Sequence, residues 1–255
     1  MTALACAGDD YRSRVVIVTG AAAGIGLATS QLLADRGAQL VLVDRSGEIE
    51  GLPDRLAGGV QRHLAVVMDV CDQTAIASLV HQVQARYGRI DVLVNNAGVA
   101  LLEAAAEASS ADWDRTMAIN LKAPFQLAQA VLPLMRQQAY GRIVNLASQA
   151  SVVALERHAA YCASKAALVA LSRVLALEWA RHGITVNAIS PTVVETELGK
   201  QAWAGSAGAA MRARIPVGRF AQPAEIAQLV AYLASEHAAM ITGDNILIDG
   251  GYTAA

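Results

Sequence analysis

The sequence predicts a doubly wound α/β fold, a parallel seven-stranded sheet flanked by helices in a single domain. Three observations carry that expectation. Seven short runs rich in Val and Ile lack clean period-2 alternation, as strands buried on both faces do. Amphipathic stretches separate these runs from end to end. No Pro/Gly/Ser-rich linker, low-complexity tract or repeat divides the 255 residues, so one domain is the better count.

The first strand is expected at 14–18, RVVIV, and a glycine-rich turn hands it to a helix over 25–36. The second strand, 39–43, runs into Asp44, and the third covers 63–68. Asp72 stands before Gln73 as an N-cap for a helix over 73–87. A fourth strand, 92–94, precedes Asn95-Asn96-Ala97-Gly98, and Ser109 or Ser110 starts a helix over 112–136. The fifth strand is 141–146, followed by a helix over 159–182 and a sixth strand at 185–189. Residues 196–216 then break the rhythm with a long Gly/Ala-rich segment carrying Trp203, Arg212 and Arg214. An irregular insertion just past a strand's carboxyl end, where open α/β sheets take ligands, reads as a substrate lid. Gln222-Pro223 opens a helix over 223–235, and the last strand is 245–248. The core is expected to span about 14–251.

Composition excludes several classes. Hydrophobic residues make up 55% and charged residues 16%, too apolar for a disordered chain. The net charge of −2 gives no electrostatic footprint for nucleic acid or an anionic membrane. No uninterrupted apolar run approaches the roughly 18 residues of a membrane span. The opening MTALACAGDD lacks a basic segment and reaches Asp9 and Asp10 early, so no secretory signal is expected and the cytoplasm is the default compartment. Cys6, Cys71 and Cys162 form no Cys-x-x-Cys pair, and the five His show no metal-ligand spacing. No bound metal is expected.

After the first strand comes Gly20-Ala21-Ala22-Ala23-Gly24-Ile25-Gly26, where a helical pattern starts. Glycines let such a turn adopt positive φ and let backbone approach a pyrophosphate closely; the helix start then offers free N–H groups to the anion. Asp44, 18 residues beyond Gly26, closes VLVD at a strand end, where a carboxylate can bind adenosine ribose hydroxyls. A Rossmann-type dinucleotide site follows from the combination.

Tyr161 and Lys165 share one face of a helix in YCASK. An unperturbed Tyr has a pKa near 10, and an ammonium one turn away favours its phenolate, so the pair can act as a general acid/base. Ser148 lies just past the fifth strand, 13 residues before Tyr161, where its hydroxyl can hold a substrate oxygen.

These elements together resemble the short-chain dehydrogenase/reductase family. Its fingerprint is Gly-x-x-x-Gly-x-Gly followed by Ser, twelve residues, and Tyr-x-x-x-Lys, and the resemblance runs from Val15 to Gly251. It implies an oxidoreductase that moves hydride between a nicotinamide cofactor and an alcohol/carbonyl pair. Ser148, Tyr161 and Lys165 are then catalytic, with Asn120 of MAINLKAPF completing a proton relay. It also implies adenine contacts at Asp69-Val70 and cofactor lining at Asn96-Ala97-Gly98. Pro191, Val194 and Thr196 are implied to face the nicotinamide, although Thr192 stands where the family has Gly. Thr tolerates positive φ poorly, so an altered backbone path is expected there. Lys165 is further implied to bind the nicotinamide ribose.

Asp44 beside a 2′-phosphate would repel it, so NAD is the expected cofactor, with Arg45 offsetting part of the repulsion and Ala23 standing where NADPH relatives carry a cation. The resemblance extends to sugar-alcohol dehydrogenases of the family. Gln149, Glu156, His158, Glu197 and Trp203 are the expected partners of a small polyol or keto-sugar, alongside Ser148. Two rival readings are an NADPH-dependent 3-ketoacyl-thioester reductase and a nucleotide-binding regulator without catalysis. A homotetramer is expected, since the helices at 112–136 and 159–182 carry apolar surplus, including Phe125, Leu127, Val131, Leu168, Leu171 and Leu175. Cys162 reads as a packed thiol.

Overall fold

The computed structural model describes residues 11–254; Cys6, Asp9 and Asp10 lie outside the described residues. Its seven strands are β1 (Val15–Thr19), β2 (Gln39–Asp44), β3 (Leu64–Val67), β4 (Val92–Asn95), β5 (Gly141–Leu146), β6 (Ile184–Pro191) and β7 (Asn245–Ile248). They form one parallel sheet in the order β3-β2-β1-β4-β5-β6-β7. The order reverses between β1 and β4, and the chain departs to opposite sides there. That reversal opens a crevice at the strands' carboxyl ends.

Why the strands read as continuous apolar runs is visible in β1. Val16 and Val18 face one layer, with Leu33, Ala34, Ile226 and Val230. Val15 and Ile17 face the other, with Leu79, Val83, Leu127 and Val131. Both faces are covered, so alternation in direction produces no alternation in polarity. The covering helices are α1 (Gly24–Asp35), α4 (Gln73–Tyr87), α5 (Ser110–Met117), α6 (Ala123–Gln138), α7 (Ala159–Trp179) and α10 (Pro223–Ala234). Two single turns, α2 (Leu52–Arg55) and α3 (Gly59–Arg62), link β2 to β3. They are too short to leave a periodic signal.

Three segments differ from the sequence expectation. The helix expected over 112–136 is α5, a π-turn over Ala118–Lys122 and α6. The turn is widened around Asn120, whose side chain bonds Val99 instead of facing solvent. The expected irregular segment 196–216 contains two short helices, α8 (Glu197–Ala202) and α9 (Gly205–Ala213), the first capped by the Thr196 hydroxyl. The third is β6, which continues to Pro191 because β7 pairs with it as far as Pro191↔Ile248.

Helix α7 carries Tyr161 and Lys165, and a buried polar chain fixes it to the sheet. Asn95 Nδ2 donates to Asn145 Oδ1 at 2.8 Å, and Asn145 Nδ2 donates to Ser172 Oγ at 2.8 Å. Ser172 in turn donates to Leu168 O at 2.8 Å. The stretch 159–182 is long and apolar enough to cross a membrane by composition, but Leu168, Val169, Leu175 and Ala176 are buried within the protein. That face of the helix serves the core, while Val174 and Leu177 on the same helix stay exposed.

Candidate active site

The turn from β1 to α1 leaves no room for a side chain at its glycines. A Cβ on Gly26 would lie 2.0 Å from Gly20 O, and one on Gly20 would lie 2.8 Å from Asn96 Nδ2. Gly20 and Gly24 also have φ of 65° and 57°, which L side chains rarely adopt. Asn96 Nδ2 donates to the carbonyls of Thr19 and Gly20, at 2.9 and 3.0 Å. The Thr19 hydroxyl accepts from the N–H groups of Asn96 and Ala97. Ala23 is the N-cap of α1, and no side chain caps that first turn. The helix start therefore keeps backbone N–H groups available for an anion.

Two cavities lie along the crevice. The first, of about 410 Å³, is lined by Gly20, Asp44, Arg45, Asp69, Val70, Ala97 and Gly98. Asp44 is held in place by accepting from Ala22 N at 3.1 Å and Ser46 N at 3.0 Å. Asp69 accepts from Cys71 N at 2.8 Å. The second cavity, of about 340 Å³, is lined by Ile25, Asn96, Pro191, Val194 and Thr196, and by Ser148, Tyr161 and Lys165. Gly98 and Val99 border both, so the two form one elongated cleft. A dinucleotide fits this layout. The first cavity offers the Asp44 carboxylate to a ribose, the uncapped start of α1 is open to a pyrophosphate, and the second cavity has room for the nicotinamide end beside Tyr161.

Burial governs the chemistry of that cluster. Lys165 is 5% exposed, and its Nζ donates to Leu146 O at 2.6 Å, 5.7 Å from the Tyr161 ring centre. Desolvation of the ammonium pushes its pKa down to about 8. Burial likewise pushes the Tyr161 phenol up, while a hydrogen bond with Ser148 pulls it down and the neighbouring Cys162 raises it further. The expected lowering of Tyr161 by Lys165 does not enter: the downward pull comes from Ser148, and loss of phenolate hydration is the larger effect. Asn120 is fully buried and lines neither cavity. Its Oδ1 accepts from Val99 N and its Nδ2 donates to Val99 O and Ser164 Oγ.

The expected substrate residues divide. Gln149, His158 and Trp203 line the second cavity, and His158 meets Tyr161 edge-on with ring centres 5.9 Å apart. Glu156 and Glu197 do not line it: Glu156 is exposed, and the exposed Glu197 pairs with Lys200 at 2.9 Å. Both are drawn to water, where a carboxylate costs least. Thr192 keeps an ordinary backbone; positive φ among the described non-glycine residues occurs at Ser13, Ala139 and Arg157. Sequence reasoning missed Arg115 and Ile119 at the first cavity and Leu102 and Leu155 at the second. Leu102, at 38% exposure, is an apolar residue left at a cleft mouth.

Fold and cleft define an oxidoreductase of the dinucleotide-dependent class. A family model described as "Enoyl-(Acyl carrier protein) reductase" matches residues 20–253. An NAD-dependent glycerol dehydrogenase of Listeria innocua is 48% identical over 240 residues, covering 94% of each chain. A D-threitol dehydrogenase of Mycolicibacterium smegmatis is 50% identical over 247 residues, 96% of this chain and 95% of that one. The crystal structure of levodione reductase superposes with a TM-score of 0.92 at 33% identity, covering 96% of this chain and 99% of the other. The chain belongs to the short-chain dehydrogenase/reductase family.

The buried ammonium should be measurable as a stability cost. Each pKa unit is worth about 1.4 kcal/mol, so the fall from 10.5 to about 8 amounts to about 3 kcal/mol. Below pH 8 folded and unfolded chains both hold the proton, and the full cost is present. Between about pH 8 and 10 the folded chain releases it first, and stability recovers. Lys165→Met should therefore be about 2 kcal/mol more stable than wild type in urea at pH 7, with the gap closing by pH 10. A variant less stable than wild type at pH 7 would contradict this account.

Proposed function

We propose that this protein is an NAD-dependent dehydrogenase of a small polyol, interconverting a secondary alcohol and its ketone. The observation carrying this reading is the continuity of the cleft at Gly98–Val99, which joins the Asp44 end to the Ser148–Tyr161–Lys165 end. The two relatives act, by name, on glycerol and threitol, and one is NAD-dependent. The nicotinamide, when bound, supplies the hydride acceptor. Tyr161 takes the hydroxyl proton, Ser148 holds the reacting oxygen, and Lys165 stabilises the phenolate and binds the nicotinamide ribose. Asn120, buried behind the cleft, completes the proton path as a positioning residue, through its bonds to Val99 and Ser164. Backbone at Gly20, Ala23, Gly24, Ile25 and Gly26 cradles the pyrophosphate, and Asp69 and Val70 border the adenine. Gln149, His158 and Trp203 contact substrate, and the 196–216 segment acts as the lid, with Trp203 against Phe220.

A homotetramer in the cytoplasm belongs to the same proposal. Of the residues expected to drive assembly, Leu127, Val131, Leu168 and Leu175 are buried in the protein's own core. The support comes instead from Val174 and Leu177 on α7, 51% and 85% exposed, and Trp113 on α5, 41% exposed. Light scattering at micromolar concentration should give a multimer mass; a monomer would refute assembly.

Two kinetic outcomes test the chemistry. Tyr161→Phe keeps the ring and removes the acid/base, so turnover of glycerol or threitol should fall about 10²-fold or more while NAD binding survives. Near-wild-type turnover would sink the mechanism. With Asp44 facing the 2′-position, like charges about 4 Å apart cost about 4 kcal/mol at an effective dielectric near 20. NAD should exceed NADP by at least about tenfold in kcat/KM, a conservative figure that allows for Arg45. The rival ketoacyl-thioester reductase would show the reverse preference.

A further inference from the structure

Two side chains at the substrate end of the cleft are buried with their polar atoms unpartnered. Gln149 is 2% exposed and Thr192 7% exposed, and both line the cavity that holds Ser148 and Tyr161. Gln149 Oε1 and Thr192 Oγ1 have no hydrogen-bond partner. A buried hydroxyl or carboxamide oxygen without a partner is unfavourable, and of the six such oxygens among the described residues these two line the cavity. Here the two belong to one site. The β5–β6 register sets Leu146 against Ile189, and Ala147 N continues it to Ile189 O at 2.8 Å. Beyond it the chain turns at Gln149, and Ser151 Oγ lies 3.1 Å from Ser190 Oγ, so the Ser148–Ser151 turn stays beside the end of β6 that leads into Thr192.

Neither side chain is held there by a structural need of its own. The Gln149 backbone closes the turn after Ser148 through its carbonyl, which accepts from Val152 N and Val153 N. The Thr192 N–H donates to Ile248 O at 3.2 Å, so its backbone is anchored at the end of β6 while its hydroxyl stays unused. Valine would fill the same volume without the unpaired oxygen. A hydroxyl kept beside the reacting groups points to a ligand that satisfies it.

We infer that Thr192 and Gln149 form a specificity pair that recognises the hydroxyl on the carbon adjacent to the one oxidised, so that the enzyme selects vicinal diols. This rests on the polyol dehydrogenase reading above and names which hydroxyl of the polyol is read. Ser148 and Tyr161 hold the reacting oxygen. The neighbouring hydroxyl, one carbon away, donates to Gln149 Oε1 and accepts from the Thr192 hydroxyl. A substrate lacking it leaves both groups unpaired, which is the arrangement that rejects an analogue most strongly.

The test compares propane-1,2-diol with propan-2-ol, which share the oxidised carbon and differ by the adjacent hydroxyl. The readout is the ratio of their kcat/KM values in the wild type, Thr192→Val and Thr192→Ser. Thr192→Val should lower the diol:mono-alcohol ratio by roughly 10- to 100-fold, mostly through a higher diol KM. Thr192→Ser, which restores a hydroxyl, should recover most of the ratio. Gln149→Met, close in volume, should lower it as well, and provides a second variant should Thr192→Val fold poorly. A wild-type preference for the diol that survives Thr192→Val and Gln149→Met unchanged overturns the pair while leaving the polyol reading intact. A wild type with no diol preference overturns both.

Discussion

A lysine ammonium taken out of water at the end of β5 is the constraint around which the site is organised. Among the described residues Lys165 donates to one acceptor, the Leu146 carbonyl, and its depressed pKa registers the hydration it has lost. That geometry needs α7 pressed flat on the sheet, so that a side chain leaving its second turn reaches a strand's last carbonyl. The apolar face of α7 and the Asn95–Asn145–Ser172 chain supply the pressing. It also needs space over the ammonium. Gly98 borders it, and the tight contact for a Cβ there would be Asn120 Oδ1 at 3.3 Å, with Lys165 Nζ at an ordinary 3.5 Å. The π-turn that aims Asn120 at Val99 belongs to the same local arrangement.

The other end of the cleft is fixed by different means. No buried charge is involved; close backbone contact does the work, with Gly26 against Gly20 and Asn96 bracing the turn from β4. The Thr19 hydroxyl ties β1 to the start of the Asn96-Ala97 turn, so the two strands flanking the reversal point are joined at their carboxyl ends. The crevice is therefore a property of the sheet's topology, and its shape is inherited from the crossover between β1 and β4.

What was legible in the sequence was what is encoded locally. The seven strands, the glycine turn and the Tyr161–Lys165 spacing each depend on residues within one or two turns of each other. Asp44 was readable because it closes a strand next to that turn. The π-turn at Asn120 was not, because its cause is a partner 21 residues away at Val99, and periodicity cannot register it. Helices α8 and α9 are short and Gly/Ala-rich, so their pattern is too weak to distinguish from a loop. Glu156 and Glu197 show the complementary failure. Proximity in sequence to Ser148 or to the lid placed them near the substrate, whereas the preference of a carboxylate for water turned them outward. The rise of the Tyr161 pKa was also hidden, since burial is a tertiary property and the helix spacing shows only the neighbouring charge.

The two halves of the cleft also differ in how their polar groups are treated, and the difference has a physical consequence. At the adenosine end Asp44 and Asp69 already accept backbone hydrogen bonds, so they are oriented before any ligand arrives. Preorganisation of that kind lowers the ordering cost of binding and contributes affinity. In the cavity beside Tyr161, the end proposed to take substrate, Gln149 and Thr192 are buried with their oxygens unpartnered. Groups left unpaired contribute discrimination, because a ligand that cannot reach them gains nothing to offset their isolation. A cofactor common to many reactions is suited to the first arrangement, and a substrate that must be told from close analogues is suited to the second. The sheet can provide both because the paired carboxylates follow β2 and β3 while the unpaired side chains follow β5 and β6, on opposite sides of the strand reversal.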